Sequence, residues 1–421
     1  MPRILLCSTT TGYQLRSFGD AARELGIELM FATDRCHALD DPWRDNAVAV
    51  RFHETDASVA AVVDAAATRP VDGVIAVGDR PVVMAARVAS ALGLPWHPPA
   101  AAHASAHKRL ARERFAAAGL PSPASVQATV DADIDRLSRG LPYPVVIKPV
   151  TLSGSRGVMR ADNAGALAAA FQRLSALLAR PAIRAQRTGA EDEILIEEFI
   201  PGREYAIEGL LTRGRFDCLA IFDKPDPLDG PFFEETIYVT PSRAPRDTQQ
   251  AIENAVADAS AALGLSHGPI HAECRVNSRG VYVLEVAARP IGGLCSRVLR
   301  FRSGDATVSL EHVLLRHAVG DDVSGVRRES AAAAVMMIPI PRRGMLRSVQ
   351  GDDTARQVPH VEDVRITAKP DQLLEPLPEA GSYLGFIFAR AGEPEAAEQA
   401  VRDAHGLLVF NVDAAIEVRP G

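Results

Sequence analysis

Two carboxylates in the segment 271–289 have the spacing of a shared site. Apolar-rich runs flank Asn277-Ser278-Arg279-Gly280 and read as the strands of a hairpin. A glycine in the last loop position suits a three-residue loop with a left-handed bulge residue. Counting outward from that loop sets Asn277 opposite Val281, Cys274 opposite Leu284, Glu273 opposite Glu285 and Ala272 opposite Val286. Side chains alternate across a sheet. One face then carries Ala272, Cys274, Val276, Tyr282, Leu284 and Val286 and reads as core. The other carries His271, Glu273, Arg275, Glu285 and Arg289. Two glutamates directly opposite each other repel. Two remedies are open: a bound divalent cation, for which carboxylate-only ligands favour Mg²⁺, or simple neutralisation by Arg275 and Arg289 on a solvated face. His271 shares the polar face, and its plainer reading is a partly buried, hydrogen-bonded residue.

A second segment could hold phosphates. The run 145–149 reads as a strand that delivers Lys148, followed by Ser153-Gly154-Ser155-Arg156-Gly157. Small residues let a loop bring backbone N–H groups close to a phosphate chain, and a lysine supplies a point charge to an oxygen. The Gly-Lys-Ser/Thr ending of a Walker A loop is missing, and a surface turn with an exposed lysine is an equal reading. Further on, 194–204 reads as a strand leaving into a turn. Such a connector can offer backbone groups to an adenine edge and a carboxylate to a ribose; Glu197 and Glu204 as plain solvated charges are the alternative.

The elements around these segments set the architecture. In the first hundred residues, apolar runs at 4–8, 27–32 and 71–78 alternate with helical stretches at 13–26 and 81–92, the pattern of a parallel α/β domain. The Pro-rich stretch 95–99 is a plausible boundary. A basic helix at 107–119 follows, then strands at 143–149 and 158–160 and a helix at 164–178. Hairpin strands at 194–199, 205–211, 216–221, 270–276 and 281–287 enclose a long helix at 248–263, an α+β arrangement. The tail holds strands at 333–340, 383–389 and 407–412 and a helix at 393–404. It reads as a separate cap-like α+β domain. The divisions expected are 1–100, 101–324 and 325–421.

Composition narrows the function classes. The chain has 421 residues, 47% hydrophobic and 24% charged, with a net charge of −7 and no long basic run. A nucleic-acid partner has no electrostatic support. No apolar stretch approaches the length of a membrane span, and the first seven residues lack the apolar core of a secretory signal, so a cytoplasmic location is expected. Five cysteines, Cys7, Cys36, Cys218, Cys274 and Cys295, are widely spaced without a CxxC. They read as buried small hydrophobes rather than a zinc site or disulfide framework.

Taken in order, the segments resemble the ATP-grasp superfamily. The set is a basic helix with Lys108, the strand lysine Lys148, the glycine loop, the EEFIPGRE connector and the two-glutamate hairpin ending in ARPIGG. The likeness runs over roughly residues 1 to 320. Within the superfamily the phrases IKPVTLSGSRGV, EETIYVTPS and EVAARPIGG resemble the bacterial L-amino-acid ligases, which make dipeptides. This resemblance implies an ATP-grasp fold between an N-terminal parallel α/β domain and a C-terminal α+β cap. It implies ATP and Mg²⁺ as cofactors, amino acids as small-molecule substrates, and no nucleic-acid or membrane partner; a homodimer is a fair expectation. By the same resemblance Lys108 and Lys148 bind ATP phosphates, and Ser153, Gly154, Ser155, Arg156 and Gly157 close over them. Glu197, Glu198, Phe199 and Ile200 belong to the ATP site, with Glu197 near the adenine amino group and Ile200 offering its backbone to the ring, and Glu204 binds ribose hydroxyls. Glu273 and Glu285 hold Mg²⁺. Arg289, with the backbone N–H groups of 291–293, stabilises charge on the acyl-phosphate and the tetrahedral intermediate.

For the substrates, the resemblance implies Asp79 and Glu235 near amines, Tyr238 where some members have histidine, and Gly292 and Gly293 in the substrate pocket. Gly293 falls where some dipeptide ligases carry a tryptophan, so room for a bulky or polar residue is expected there. Ala287 stands where many superfamily members have a metal-binding asparagine, a loss shared with the amino-acid ligases that leaves the number of metal ions open. A bicarbonate-activating carboxylase lacks support, since no Met-Lys-Met biotinyl site is present. The alternatives are a ligase for a non-amino-acid carboxylate and an ATP-binding regulatory protein without turnover.

Overall fold

Three short apolar runs, each followed by a helix, build the first sheet. In the computed structural model, which describes residues 1–9, 14–34 and 47–414, the strands Arg3–Ser8, Glu28–Thr33 and Gly73–Val77 pair in parallel, with the two-residue strand Val48–Ala49 at one edge. Every residue of Arg3–Ser8 and Gly73–Val77 is buried. A parallel sheet buried on both faces reads as such continuous apolar runs. The first helix, Leu15–Leu25, ends at Gly26 in the left-handed conformation, the usual stop for a helix. Tyr13, the expected start of that helix, and Cys36 lie outside the described residues. The other four cysteines are free, three of them buried.

Two antiparallel sheets follow. The smaller orders its strands Ser125–Thr129, Glu193–Glu198, Val145–Pro149 and Met159–Ala161. The helix Ala164–Leu178 packs on it through Leu167, Phe171, Leu174 and Leu178, against Ile147, Ile194 and Ile196. The larger sheet has eight strands, in the order Gly280–Ala287, Gly268–Asn277, Arg203–Thr212, Arg215–Asp223, Ile237–Thr240, Ala332–Ile338, Gly385–Ala391 and Val361–Ile366. Among the described residues no helix is long and apolar enough to cross a membrane.

That eight-stranded order changes the reading of the tail. Its strands extend the central sheet, with Ile237 opposite Met336 and Val239 opposite Ala334. Alternation along Ala332–Ile338 then serves two cores at once. Ala332, Ala334, Met336 and Ile338 join a C-terminal core with Ala397, Ala400, Val401 and Ala404 of the helix Pro394–Gly406. Ala333, Val335 and Met337 turn the other way, into the core shared with the N-terminal two thirds of the chain. The section expected as a separate cap thus has a core of its own but no break in the sheet near residue 325.

The two-glutamate hairpin differs in detail from the sequence reading. Asn277 pairs with Gly280 and Val276 with Val281, so the loop has two residues, not three. Cys274 then meets Val283 rather than Leu284, and a bulge at that point restores Glu273 opposite Glu285. An extra residue inserted in one strand turns the side chains beyond it to the other face. Val283 and Val286 therefore lie in the core while Leu284 lines the cleft, where strict alternation had placed Leu284 inside. Gly202, in the connector after Glu193–Glu198, touches this hairpin. Its φ is +122°, and a Cβ there would lie 2.2 Å from the carbonyl oxygen of Val276. We expect Gly202→Ala to lower the unfolding free energy by about 1–3 kcal/mol in urea denaturation; unchanged stability would show that connector and hairpin are not pressed together.

Candidate active site

The strand Val145–Pro149 lies beside Glu193–Glu198 with Val146 opposite Glu197, which brings the Lys148 and Glu197 side chains together. The Glu197 carboxylate is 3% exposed as a residue. It accepts from Arg112 Nε at 2.7 Å and forms an ion pair with Lys148. Burial alone raises a carboxyl pKa; here Arg112 and Lys148 outweigh it and hold Glu197 below its ordinary value. Lys148 is pushed down to about 8, chiefly by burial, against the pull of Glu197. Glu197 is therefore a counter-ion for two buried cations, where the resemblance had it beside an adenine amino group. Arg112 went unnoticed in the sequence. It stands four residues after Lys108 on one helix, so the two share a face. Its Nη2 also donates to the carbonyl of Leu284 at 2.8 Å, at the hairpin bulge.

A second charged group surrounds Lys224, whose side chain is 3% exposed. Its Nζ lies 2.8 Å from Glu204, 2.5 Å from Glu235 and 3.3 Å from Glu273. Among the described residues these three glutamates form a group with carboxylate oxygens within 4.8 Å of one another. Glu273 is raised, by burial and then by Glu235. Glu285, across the hairpin, meets Lys108 at 3.3 Å instead. The arginines considered as neutralisers are occupied elsewhere. Arg275 pairs with Glu204 at 2.8 Å, donates to the carbonyls of Ile200 and Leu228, and lies over the ring of Phe199. Arg289 pairs with Asp79. Two lysines, then, compensate the facing glutamates. The donor set fits a hard divalent cation: carboxylate oxygens only, on facing strand positions that both line the cavity. Lys224 carried no local signal beyond being a lysine in an acidic, proline-bounded turn.

Arg289 meets Asp79 through two hydrogen bonds of 2.9 and 3.2 Å, and its Nη1 donates to the carbonyl of Pro290 at 3.0 Å. Asp79 is held below its usual range because Arg289 outweighs burial. The carboxylate expected near a substrate amine thus serves Arg289, and Glu235 likewise serves Lys224. The loop beyond Arg289 is clamped on both sides. The N–H of Ile291 donates to the fully buried Glu208 at 3.0 and 3.2 Å, and Gln14 donates to the Ile291 carbonyl. Ile291 is therefore not an available oxyanion donor, and Gly292 and Gly293 are left from the expected set. Glu208 also meets His271 Nδ1 at 3.1 Å. Burial raises Glu208 and lowers His271, which favours the neutral forms of both.

These groups line one cavity of about 370 Å³. Lys108, Lys148, Glu197, Glu273, Glu285 and Arg289 all face it. So do Glu198, Phe199, Ile200 and Glu204, and with them Asp79, Glu235, Tyr238, Gly292 and Gly293. Ser153, Gly154 and Ser155 complete the rim. Arg156 and Gly157 turn away: Arg156 Nε donates to the Glu379 carbonyl and the Gly157 N–H to the Pro378 carbonyl, each at 2.9 Å. Arg173 holds the Glu379 carboxylate with bonds of 2.5 and 2.8 Å. Gly293 has φ +62°, and a Cβ there would lie 3.2 Å from the Phe386 ring. The room expected beside Gly293 is thus bounded by Phe386.

Comparisons with known proteins fall on the same segments. Residues 141–298 match the model of an ATP-grasp domain, 19–96 that of an ATP-grasp N-terminal domain, and 336–413 that of an L-amino acid ligase C-terminal domain. The crystal structure of an L-amino acid ligase from Bacillus licheniformis superposes with a TM-score of 0.83 at 26% identity, over 98% of this chain and 99% of that one. A phosphoribosylglycinamide synthetase from Anaerococcus prevotii shares the fold at 15% identity, with a TM-score of 0.68 over 98% of this chain and 100% of that one. Dapdiamide A synthase of Enterobacter agglomerans is 28% identical over 56% of this chain and 56% of its own length. The chain spans between a quarter and about three fifths of the length of the curated relatives it matches.

The Glu197 geometry gives a direct test. Removing the shared charge leaves Arg112 and Lys148 buried without a counter-ion. Breaking such a pair costs about 3–5 kcal/mol. Glu197→Gln is expected to lose stability on that scale by urea denaturation of the nucleotide-free protein. Weaker nucleotide binding at unchanged stability would instead assign Glu197 to the adenine.

Proposed function

We propose that this chain, which belongs to the ATP-grasp superfamily and is similar to the L-amino acid ligases, joins the carboxylate of one amino acid to the amine of another at the cost of ATP. The observation that carries this reading is the convergence of Glu273 and Glu285, directly opposite each other, with Lys108, Lys148 and Arg289 around one cavity. That is an arrangement for gathering phosphoryl oxygens and a carboxylate.

In the first step a carboxylate oxygen of the substrate attacks the γ-phosphorus of ATP, and the bond from that phosphorus to the β-phosphate oxygen breaks. The products are an acyl-phosphate and ADP. Such transfer depends on positioning and on cationic charge at the phosphoryl oxygens. Lys148, at the strand end, and Lys108, at the start of its helix, supply that charge. Glu273 and Glu285 would hold Mg²⁺, which would supply further charge to the phosphoryl oxygens. In the second step the amine of the other substrate attacks the acyl carbon, phosphate leaves with the oxygen it gained, and the amine loses a proton. Arg289, fixed by Asp79, stabilises the oxyanion that develops on the carbonyl. The N–H groups of Gly292 and Gly293 are the backbone donors available to assist.

Two outcomes test the reading. Turnover should release ADP and phosphate, resolved by chromatography of the nucleotide product; AMP and pyrophosphate would exclude the acyl-phosphate route. Arg289→Ala should lower turnover by about 10²–10³, the usual loss for one preorganised oxyanion donor, with ATP affinity little changed in a binding titration. Near-normal turnover would remove Arg289 from the chemistry.

A further inference from the structure

One part of the cavity lining is aromatic and apolar. Lys224 Nζ lies 5.1 Å from the centre of the Tyr238 ring. Tyr238 comes from the central sheet. Met337, Tyr383 and Phe386 come from the C-terminal section. Met337 and Phe386 are directly opposite each other on neighbouring strands, so their side chains share a face. The Tyr383 and Phe386 rings meet edge to face with centroids 6.1 Å apart. Phe386 also reaches the loop that follows Arg289, since its ring edge lies 3.2 Å from the Cβ position of Gly293.

We infer that the C-terminal section sets substrate choice: Phe386, Met337 and Tyr383 form a wall that accepts an apolar amino-acid side chain and limits its size. This rests on the ligase reading above. Of the charged groups acting on Tyr383, Lys224 and Glu235 are paired with each other and Glu234 accepts the backbone N–H of Ile340. A charged substrate side chain lodged among these rings would lose its water without gaining a partner, which is costly. An apolar side chain gains from the same burial. The left-handed backbone at Gly293 leaves the bounding of this space to Phe386, a residue ninety-three positions later in the chain. No short sequence motif can carry that information.

The test compares kcat/KM for ADP release with alanine, leucine, phenylalanine, glutamate and lysine, in the wild type and in Phe386→Leu, Phe386→Ala and Tyr383→Leu. Wild type should favour an uncharged apolar amino acid over glutamate and lysine by about 10-fold or more. Phe386→Ala should raise the phenylalanine-to-alanine ratio by about 10-fold or more, and Phe386→Leu should raise it less. Unchanged ADP affinity serves as the control for folding. Phe386 is deeply buried, so Phe386→Leu and Tyr383→Leu carry the test where the alanine variant does not fold. Preference for a charged side chain, or a ratio that both milder variants leave unchanged, overturns the wall and leaves the ligase reading intact. If no amino acid supports ADP release in the wild type, the ligase reading itself is overturned and the wall with it.

Discussion

Glu273 and Glu285 face each other across one hairpin inside a cleft, and the rest of the site answers that repulsion. Two unit charges about 5 Å apart repel by roughly 3 kcal/mol at an effective dielectric of about 20. The chain compensates with lysines brought from elsewhere. Lys224 arrives just after the strand Arg215–Asp223, two strands away from Glu273, and touches Glu273, Glu204 and Glu235 together. Lys108 arrives on a helix and touches Glu285. Neither pair is sealed from the cavity, so the same carboxylates stay open to a stronger cation. Arg275 and Arg289 are thereby released for other work. Arg275 braces the connector at Ile200, and Arg289 is aimed by Asp79.

The sequence made the facing glutamates legible, and it did so through two errors that cancelled. A three-residue loop without a bulge and a two-residue loop with a bulge give the same pairing of Glu273 with Glu285. They disagree about the pairs between the loop and Cys274 and about Leu284, which the bulge turns into the cleft. Periodicity also revealed the parallel sheet, because strands buried on both faces are continuous apolar runs. Lys224, Arg112 and Glu208 stayed hidden for a common reason. Their partners lie 20, 85 and 63 residues away, and local spacing carries no record of such pairs. The tail shows the same limit. Its strands were readable near 333–340 and 383–389, but nothing local says that Ala332–Ile338 pairs with Ile237–Thr240.

That pairing gives the C-terminal section a direct place in the cleft. It buries its own apolar face beneath the helix Pro394–Gly406 and turns Met337 and Phe386 toward the site. Its segment around 375–383 also holds the small lobe. Arg180 reaches Glu375 at 2.8 Å, Arg173 holds Glu379, and the glycine loop is bonded to the carbonyls of Pro378 and Glu379. The loop proposed to cover the phosphates and the wall proposed to read the substrate are thus two contacts of one stretch of chain.

The central claim is that a substrate carboxylate takes the γ-phosphoryl group before the new bond forms. An amino acid labelled with ¹⁸O in both carboxylate oxygens tests this most directly, with mass analysis of the phosphate released during a single turnover. The acyl-phosphate account requires one labelled oxygen in each phosphate and one in the product carbonyl, because the attacking oxygen leaves with phosphorus. Phosphate free of label, with ATP consumed and product formed, would contradict it.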